Sequence, residues 1–181
     1  MSGTYKMKIA GLERELPLCS VSEDLDIAAF VMFGDVEVTE AAAAALLKKC
    51  PEHDIVVTAE AKGIPLCYEM ARQGCRDYEI ARKSIKTYDI NPISFEVKSI
   101  TTSAVQKLYL ASTRAARMKG KRVLIVDDVI STGASLRVLE NLVEQAGGII
   151  VGKAAVLAEG EASERDDIIY LEKLPLFPKN K

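Results

Sequence analysis

Histidine is almost missing from this chain: His53 is the only one among 181 residues. A Ser-His-Asp hydrolase or a multi-histidine metal site is therefore disfavoured, and His53, just before an expected strand, reads as a loop residue. Cysteine is scarce as well. Cys19, Cys50, Cys67 and Cys75 form no C-x-x-C pair and none lies near His53. Neither a zinc site nor a disulfide framework is expected, and reduced thiols in a cytoplasm fit best. No apolar run approaches the ~18 residues of a membrane span, and the opening Met-Ser-Gly-Thr-Tyr-Lys lacks the apolar core of a signal peptide. The net charge is only −2, which gives no general attraction to nucleic acid or membrane. Repeats and low-complexity linkers are absent too.

What is present is an ordinary folded composition, 49% apolar and 28% charged, at the length of one domain. Runs 5–9 and 14–19 flank Gly11 and suggest a hairpin. Run 27–33 is apolar and reads as a buried strand. Thr39 can cap a helix from Glu40 to Lys49 that Pro51 ends. The chain then alternates. Strands are expected at 54–59, 77–81, 94–98, 106–110, 123–127 and 149–157. Pro65 opens a helix that runs to about Arg72. Leu139, Leu142, Val143 and Ala146 form the apolar stripe of another. Such alternation predicts an α/β fold, a mostly parallel twisted sheet flanked by helices. Ligands of such sheets bind at the carboxyl ends of the strands. Four polar clusters fall at those ends: Glu60-Ala61-Lys62-Gly63, Arg82-Lys83, Asp127-Asp128 and Glu159-Gly160.

The segment 122–135 carries the most chemistry. Val123 to Val126 reads as a strand buried on both faces, ending at Asp127-Asp128. Ser131, Thr132, Gly133, Ala134 and Ser135 then form a tight small-polar loop running into a helix. Backbone N–H groups of such a loop make an anion-binding concavity, Gly133 permits an unusual φ, and the hydroxyls add donors. The loop has no lysine, so it is not the G-x-x-x-x-G-K-[ST] nucleotide loop. Carboxylates at a strand end can accept hydrogen bonds from vicinal ribose hydroxyls or hold a metal. Together these residues suit a sugar phosphate, whereas the bland alternative is a solvated strand end with an ordinary capped turn.

This segment resembles the signature of the type I phosphoribosyltransferases: apolar residues, two acidic residues, a short spacer, then Thr-Gly and a hydroxyl. The likeness covers most of the chain. Residues 57–66 resemble the family's pyrophosphate loop, and Ala81-Arg82-Lys83 with Lys86 resembles a stretch of adenine phosphoribosyltransferases. Phe95-Glu96 is similar to the step before their flexible loop. The resemblance implies the type I fold with a hood over 1–35 and a core over 36–181 in one structural domain. It implies that a purine nitrogen displaces pyrophosphate from C1 of phosphoribosyl pyrophosphate, with Mg²⁺ bridging substrate oxygens and reached by Asp127 and Asp128 through substrate or water. Lys62, Arg82, Lys83 and Lys86 would supply cations, Lys83 near the chemistry, although each taken singly reads as a surface residue. Backbone at Ala61, Lys62 and Gly63 would cradle the pyrophosphate, the family's strained peptide falling by analogy at Ala61-Lys62. Residues 98–106 would form a lid. Glu96 would orient the base or accept its proton, or is simply a half-buried strand residue. Phe30, Val31 and Phe33 would line the purine pocket or belong to the core.

The loop departs from the commonest adenine pattern, Ala-Thr-Gly-Gly-Thr, while keeping its size and hydroxyls. The polar lid is also similar to xanthine phosphoribosyltransferases. No cation follows Glu159, where an extra oxo group would call for one, so adenine is the expected base and xanthine or another purine the alternative. A homodimer is implied by the family resemblance. A regulator that keeps the fold as a non-catalytic sensor of phosphoribosyl pyrophosphate is a rival from another class, but such proteins usually carry an added DNA-binding module, and no strong basic face is expected here. A sugar-phosphate binder without catalysis is another, and it would need no pyrophosphate loop.

Overall fold

The computed structural model describes residues 3–98 and 105–179. Two sheets are built on different hydrogen-bonding logic. The first strands, β1 (Thr4–Ile9), β2 (Leu12–Ser20) and β3 (Leu25–Ala28), form an antiparallel meander. Its fourth strand, β11 (Leu176–Pro178), comes from the far end of the chain and pairs with β3. Tyr5 packs edge-on to Phe177 across this sheet, with ring centroids 5.1 Å apart. The expected hairpin around Gly11 is therefore present, within a sheet that residues 1–35 do not complete alone.

The second sheet holds β4 (Ile55–Ala59), β5 (Tyr78–Ala81), β8 (Arg122–Ile130), β9 (Ile149–Glu159) and β10 (Ile169–Leu174). Their order is β10-β9-β8-β4-β5 and every pairing is parallel, the α/β architecture expected. Strand periodicity divides the interior in two. Ile55, Val57, Val123 and Ile125 face one core with α3 (Ser112–Met118) and α4 (Ala134–Gln145). Val56, Leu124 and Val126 face the other with α1 (Val36–Leu47), α2 (Ile64–Gln73) and the hood sheet. Strands covered on both faces read as continuous apolar runs, and these do. The remaining pair, β6 (Ile93–Lys98) and β7 (Val105–Leu110), is an antiparallel ribbon. The expected lid joins these two strands, and its residues 99–104 lie outside the described residues.

Several boundaries differ from the sequence reading. The run 27–33 is strand only to Ala28. Beyond it Phe30 and Met32 bury themselves in the core without sheet pairing, at 5% and 1% exposure. The helix expected from Glu40 begins at Val36. Its cap is Asp35, whose Oδ1 accepts the Val38 N–H at 3.1 Å. Thr39 lies inside the first turns, its hydroxyl donating to the Asp35 carbonyl at 2.7 Å. Asp35 prevails because it also anchors the hood: Arg14 Nε donates to Asp35 Oδ2 at 2.7 Å. That guanidinium holds the Asp35 carboxyl below its ordinary range. One side chain thus caps a core helix and ties the hood to it. Asp35→Ala should lower unfolding stability by about 1–2 kcal/mol, read by urea denaturation; a loss of only a few tenths would assign the cap elsewhere.

Candidate functional site

Parallel pairing places the carboxyl ends of β4, β5, β8 and β9 along one edge of the sheet, and the four polar clusters lie along that edge. Asp127 and Asp128 are not the last residues of β8, as expected, but lie inside it. β8 continues to Ile130, with Asp127 opposite Ala155 and Val129 opposite Leu157 of β9. On its other side β4 pairs with β8 only through Ile125. The neighbouring strand thus peels away just before the carboxylates and leaves room beside them. That room is a cavity of about 600 Å³ lined by Glu60, Ala61, Lys62, Lys83, Lys107, Asp127, Asp128 and Ser135. A smaller hollow of about 90 Å³ adjoins it, lined by Asp127 and the loop 131–135.

The loop Glu60–Gly63 and the acidic pair are in direct contact. Lys62 Nζ lies 2.9 Å from Asp128 Oδ2, and the Asp128 side chain is only 4% exposed. The approach is charge to charge: Oδ2 receives no well-aligned hydrogen bond among the described residues. Asp127 Oδ1 accepts the Asp128 N–H at 2.9 Å. Desolvation, and then the neighbouring Asp128 charge, push the Asp127 carboxyl well above its ordinary range. Glu159, at the end of β9, is also raised by burial, with Lys62 opposing. Gly63 is fixed by space rather than by φ, which is −73°. A Cβ there would strike the Thr58 hydroxyl and stand 2.9 Å from Asp127 Oδ1.

Other expected residues divide. Lys83 lines the cavity, and its backbone N–H donates to Glu60 Oε2 at 2.9 Å, binding the β5 and β4 loops together. The peptide bond that departs from trans is Glu60-Ala61, one residue before the position inferred by analogy. Arg82 and Lys86 are not among the cavity-lining residues. The Arg82 guanidinium stands over the Tyr88 ring at 5.8 Å, on the side of a separate cleft at the β5 edge. The Lys86 N–H closes a turn onto Asp89. Glu96 is half exposed and paired with Lys107 at 3.3 Å. Lys107, its cross-strand partner, does line the cavity; sequence reasoning passed over it, though its register opposite Glu96 was a usable signal. Phe30 lies in the core cluster under the hood, while Val31 and Phe33 are half exposed.

In the phosphate-type loop, Gly133 has φ +73° and caps α4. This is the left-handed region that glycine occupies at little steric strain. The turn presents the first backbone N–H groups of α4 and the hydroxyls of Ser131, Thr132 and Ser135 to the small hollow. A helix N-terminus beside an acidic pair separates two affinities, one for anions and one for hydroxyls or cations.

Residues 34–175 match the family model of the phosphoribosyl transferase domain, and the chain belongs to that family. The hypoxanthine/guanine phosphoribosyltransferase of Methanothrix thermoacetophila is 35% identical over 112 residues, which cover 62% of this chain and 55% of the relative. The adenine phosphoribosyltransferase of Petrotoga mobilis is 29% identical over 125 residues, 67% of each chain. In fold, the adenine phosphoribosyltransferase of Rhodothermus marinus superposes with TM-score 0.68 at 21% identity, covering 95% of this chain and 94% of that one. The match spans only about half the length of several curated relatives.

Two outcomes follow from the acidic site. A carboxyl whose pKa is raised on folding contributes stability that is fully present below its unfolded value, ordinarily 3.8, and lost as pH rises through the raised one. Asp127→Asn removes that ionisation, so its melting temperature without ligand should gain on the wild type between pH 4 and pH 8. A difference that does not change with pH would show that Asp127 carries no such penalty. Gly63→Ala should destabilise by about 1–3 kcal/mol through overpacking; unchanged urea unfolding would mean that the loop is not wedged against β8.

Proposed function

We propose that this chain is a purine phosphoribosyltransferase of salvage type, joining ribose 5-phosphate from phosphoribosyl pyrophosphate to a purine, with adenine the preferred base. One observation carries the reading. Two loops, Glu60–Gly63 and Ser131–Ser135, line adjoining cavities on either side of a single acidic pair. Their ligand has an anion at each end and hydroxyls between. Phosphoribosyl pyrophosphate is such a molecule.

The residues suit the reaction. The bond from C1 to the pyrophosphate oxygen breaks as the bond from C1 to the base nitrogen forms, and pyrophosphate departs with its electron pair. Positive charge grows on the sugar and negative charge on the leaving group. Asp127 and Asp128 lie where ribose hydroxyls would be received, and their charge favours an electron-poor sugar. Lys62 and Lys83 are the cavity cations for the departing pyrophosphate, with Lys107 a third. Lys62 is held by Asp128 before substrate arrives, so a pyrophosphate would take over a positioned ammonium. Mg²⁺ fits this donor set: it is commonly bound by one or two carboxylates together with waters and substrate oxygens. Among the described residues no cluster of three or more ligating side chains exists, so Asp127 and Asp128 would hold it jointly with the substrate. The ion would neutralise charge on the pyrophosphate oxygens.

The base belongs at the Glu159 end, where burial raises the carboxyl above its ordinary range, with Lys62 opposing. No cation follows Glu159 directly in sequence, Gly160 standing there instead, which agrees with a base lacking the second oxo group of xanthine. We place the hood sheet over this end and assign Glu96 to the base, with its partner Lys107 turning to pyrophosphate. A cytoplasmic homodimer completes the reading; all four cysteines are free, and among the described residues no helix is long and apolar enough to cross a membrane.

Pyrophosphate release should be followed with Mg²⁺, phosphoribosyl pyrophosphate and each of adenine, hypoxanthine, guanine and xanthine. The expected result is the highest kcat/KM with adenine, and a loss of about a hundredfold or more, roughly 2.7 kcal/mol, in the Asp127→Asn, Asp128→Asn double variant. Preference for another purine would overturn the base assignment. Tight binding of the sugar with no turnover of any base would replace the enzyme with a sensor.

A further inference from the structure

The loop 131–135 contains no cation, yet a phosphate monoester brings close to two negative charges at neutral pH. The fold supplies a cation from elsewhere. Arg165 follows the 3-10 turn Gly160–Glu164 after β9, thirty-two residues beyond Gly133 in sequence. A Cβ on Gly133 would stand 2.8 Å from Arg165 Nη1, so this guanidinium touches the phosphate-type loop at its left-handed glycine.

Arg165 is also aimed. Its Nε donates to Asp167 Oδ1 at 2.8 Å and its Nη2 to Asp167 Oδ2 at 2.7 Å. This fork-on-fork grip uses one edge of the guanidinium. It leaves both N–H groups of Nη1 and one of Nη2, and Nη1 has no hydrogen bond to a described residue. Asp167 is gripped in turn by Lys153, and Lys153 Nζ lies 2.8 Å from Glu140 Oε1. Lys153 is only 17% exposed. Glu140 is on α4, so the row Glu140–Lys153–Asp167–Arg165 ties the guanidinium to the helix whose N-terminus forms the loop. The turn bearing Arg165 is itself pinned, Tyr170 Oη donating to the Ser163 carbonyl at 2.8 Å. A rotamer-rich arginine fixed in advance loses little freedom when an anion arrives.

We propose that Arg165 is a substrate-binding residue for the 5′-phosphate, with Asp167 and Lys153 as the positioning residues that hold its free edge over the loop. It rests on the phosphoribosyl reading above. Its consequence is that phosphate affinity here is divided between the loop and a cation delivered from the strand that leads to the base end.

The test uses calorimetric titration of the full chain with Mg²⁺, taking ribose 5-phosphate and inorganic pyrophosphate as separate probes. Arg165→Gln should weaken ribose 5-phosphate by about tenfold or more and leave pyrophosphate within about twofold. Arg165→Lys should recover part of the loss, because charge returns without the fork. Asp167→Asn, which frees the guanidinium, should weaken ribose 5-phosphate by less than Arg165→Gln does. Melting temperature of each variant separates a binding loss from a folding loss. Equal weakening of both probes, weakening of pyrophosphate alone, or no change in either would each overturn the assignment. Failure of the wild type to bind ribose 5-phosphate would instead sink the phosphoribosyl reading on which it rests, and the assignment with it.

Discussion

Two adjacent carboxylates held at the rim of an apolar core set the terms for everything around them. Burying an ionised carboxylate is costly unless it is paired, and Asp127 and Asp128 also repel one another. The structure does not relieve this by moving them to solvent. It brings Lys62 to Asp128, gives Asp127 a backbone N–H, and leaves the rest of the tension in place. A group kept at such cost on a sheet edge is a candidate for function. The loops, the glycines and the surrounding cations are all intelligible as the setting for that pair.

The setting depends on sheet geometry. Because β8 and β9 run on after β4 turns aside, the acidic pair gains an open flank without leaving the strand. The loop after β4 then folds back across this flank, and Gly63 allows it to press against Asp127. The start of α2 at Gly63 packs against Asp127, the start of α4 lines a hollow with Asp127, and Lys62 pairs with Asp128. Ligands of α/β sheets sit at the carboxyl ends of the strands, which is where this charge alternation lies. Membership of the phosphoribosyl transferase family agrees with the same geometry, and the relatives it resembles are named for different bases.

Much of the fold could be read from the sequence because doubly covered strands leave an unmistakable apolar run. Val123–Val126 is such a run, and so is 55–59. The loop 131–135 was legible for another reason: glycine between hydroxyls before an amphipathic stripe has few other uses. What could not be read depends on distance in space. Lys62 facing Asp128, and Arg165 reaching Gly133, join residues far apart in the chain. The start of α1 was misplaced because Thr39 satisfies the local capping rule, whereas Asp35 wins through Arg14 of the hood, a tertiary partner. The short α3 and the strand β10 carry mixed apolar and charged residues, and β11, three residues ending in proline, is a strand only because β3 offers it an edge. Phe30 could be core or pocket by composition, and only burial places it in the core.

The central claim is that one acidic pair separates two distinct anion subsites, both open at once. The most direct measurement is calorimetric titration of inorganic pyrophosphate into the Mg²⁺-containing protein, with and without saturating ribose 5-phosphate. Pyrophosphate should bind in both cases, with comparable or greater affinity when the sugar phosphate is present, because the loops after β4 and β8 are separate. Mutual exclusion of the two ligands would mean that they share a single anion site and would contradict the account.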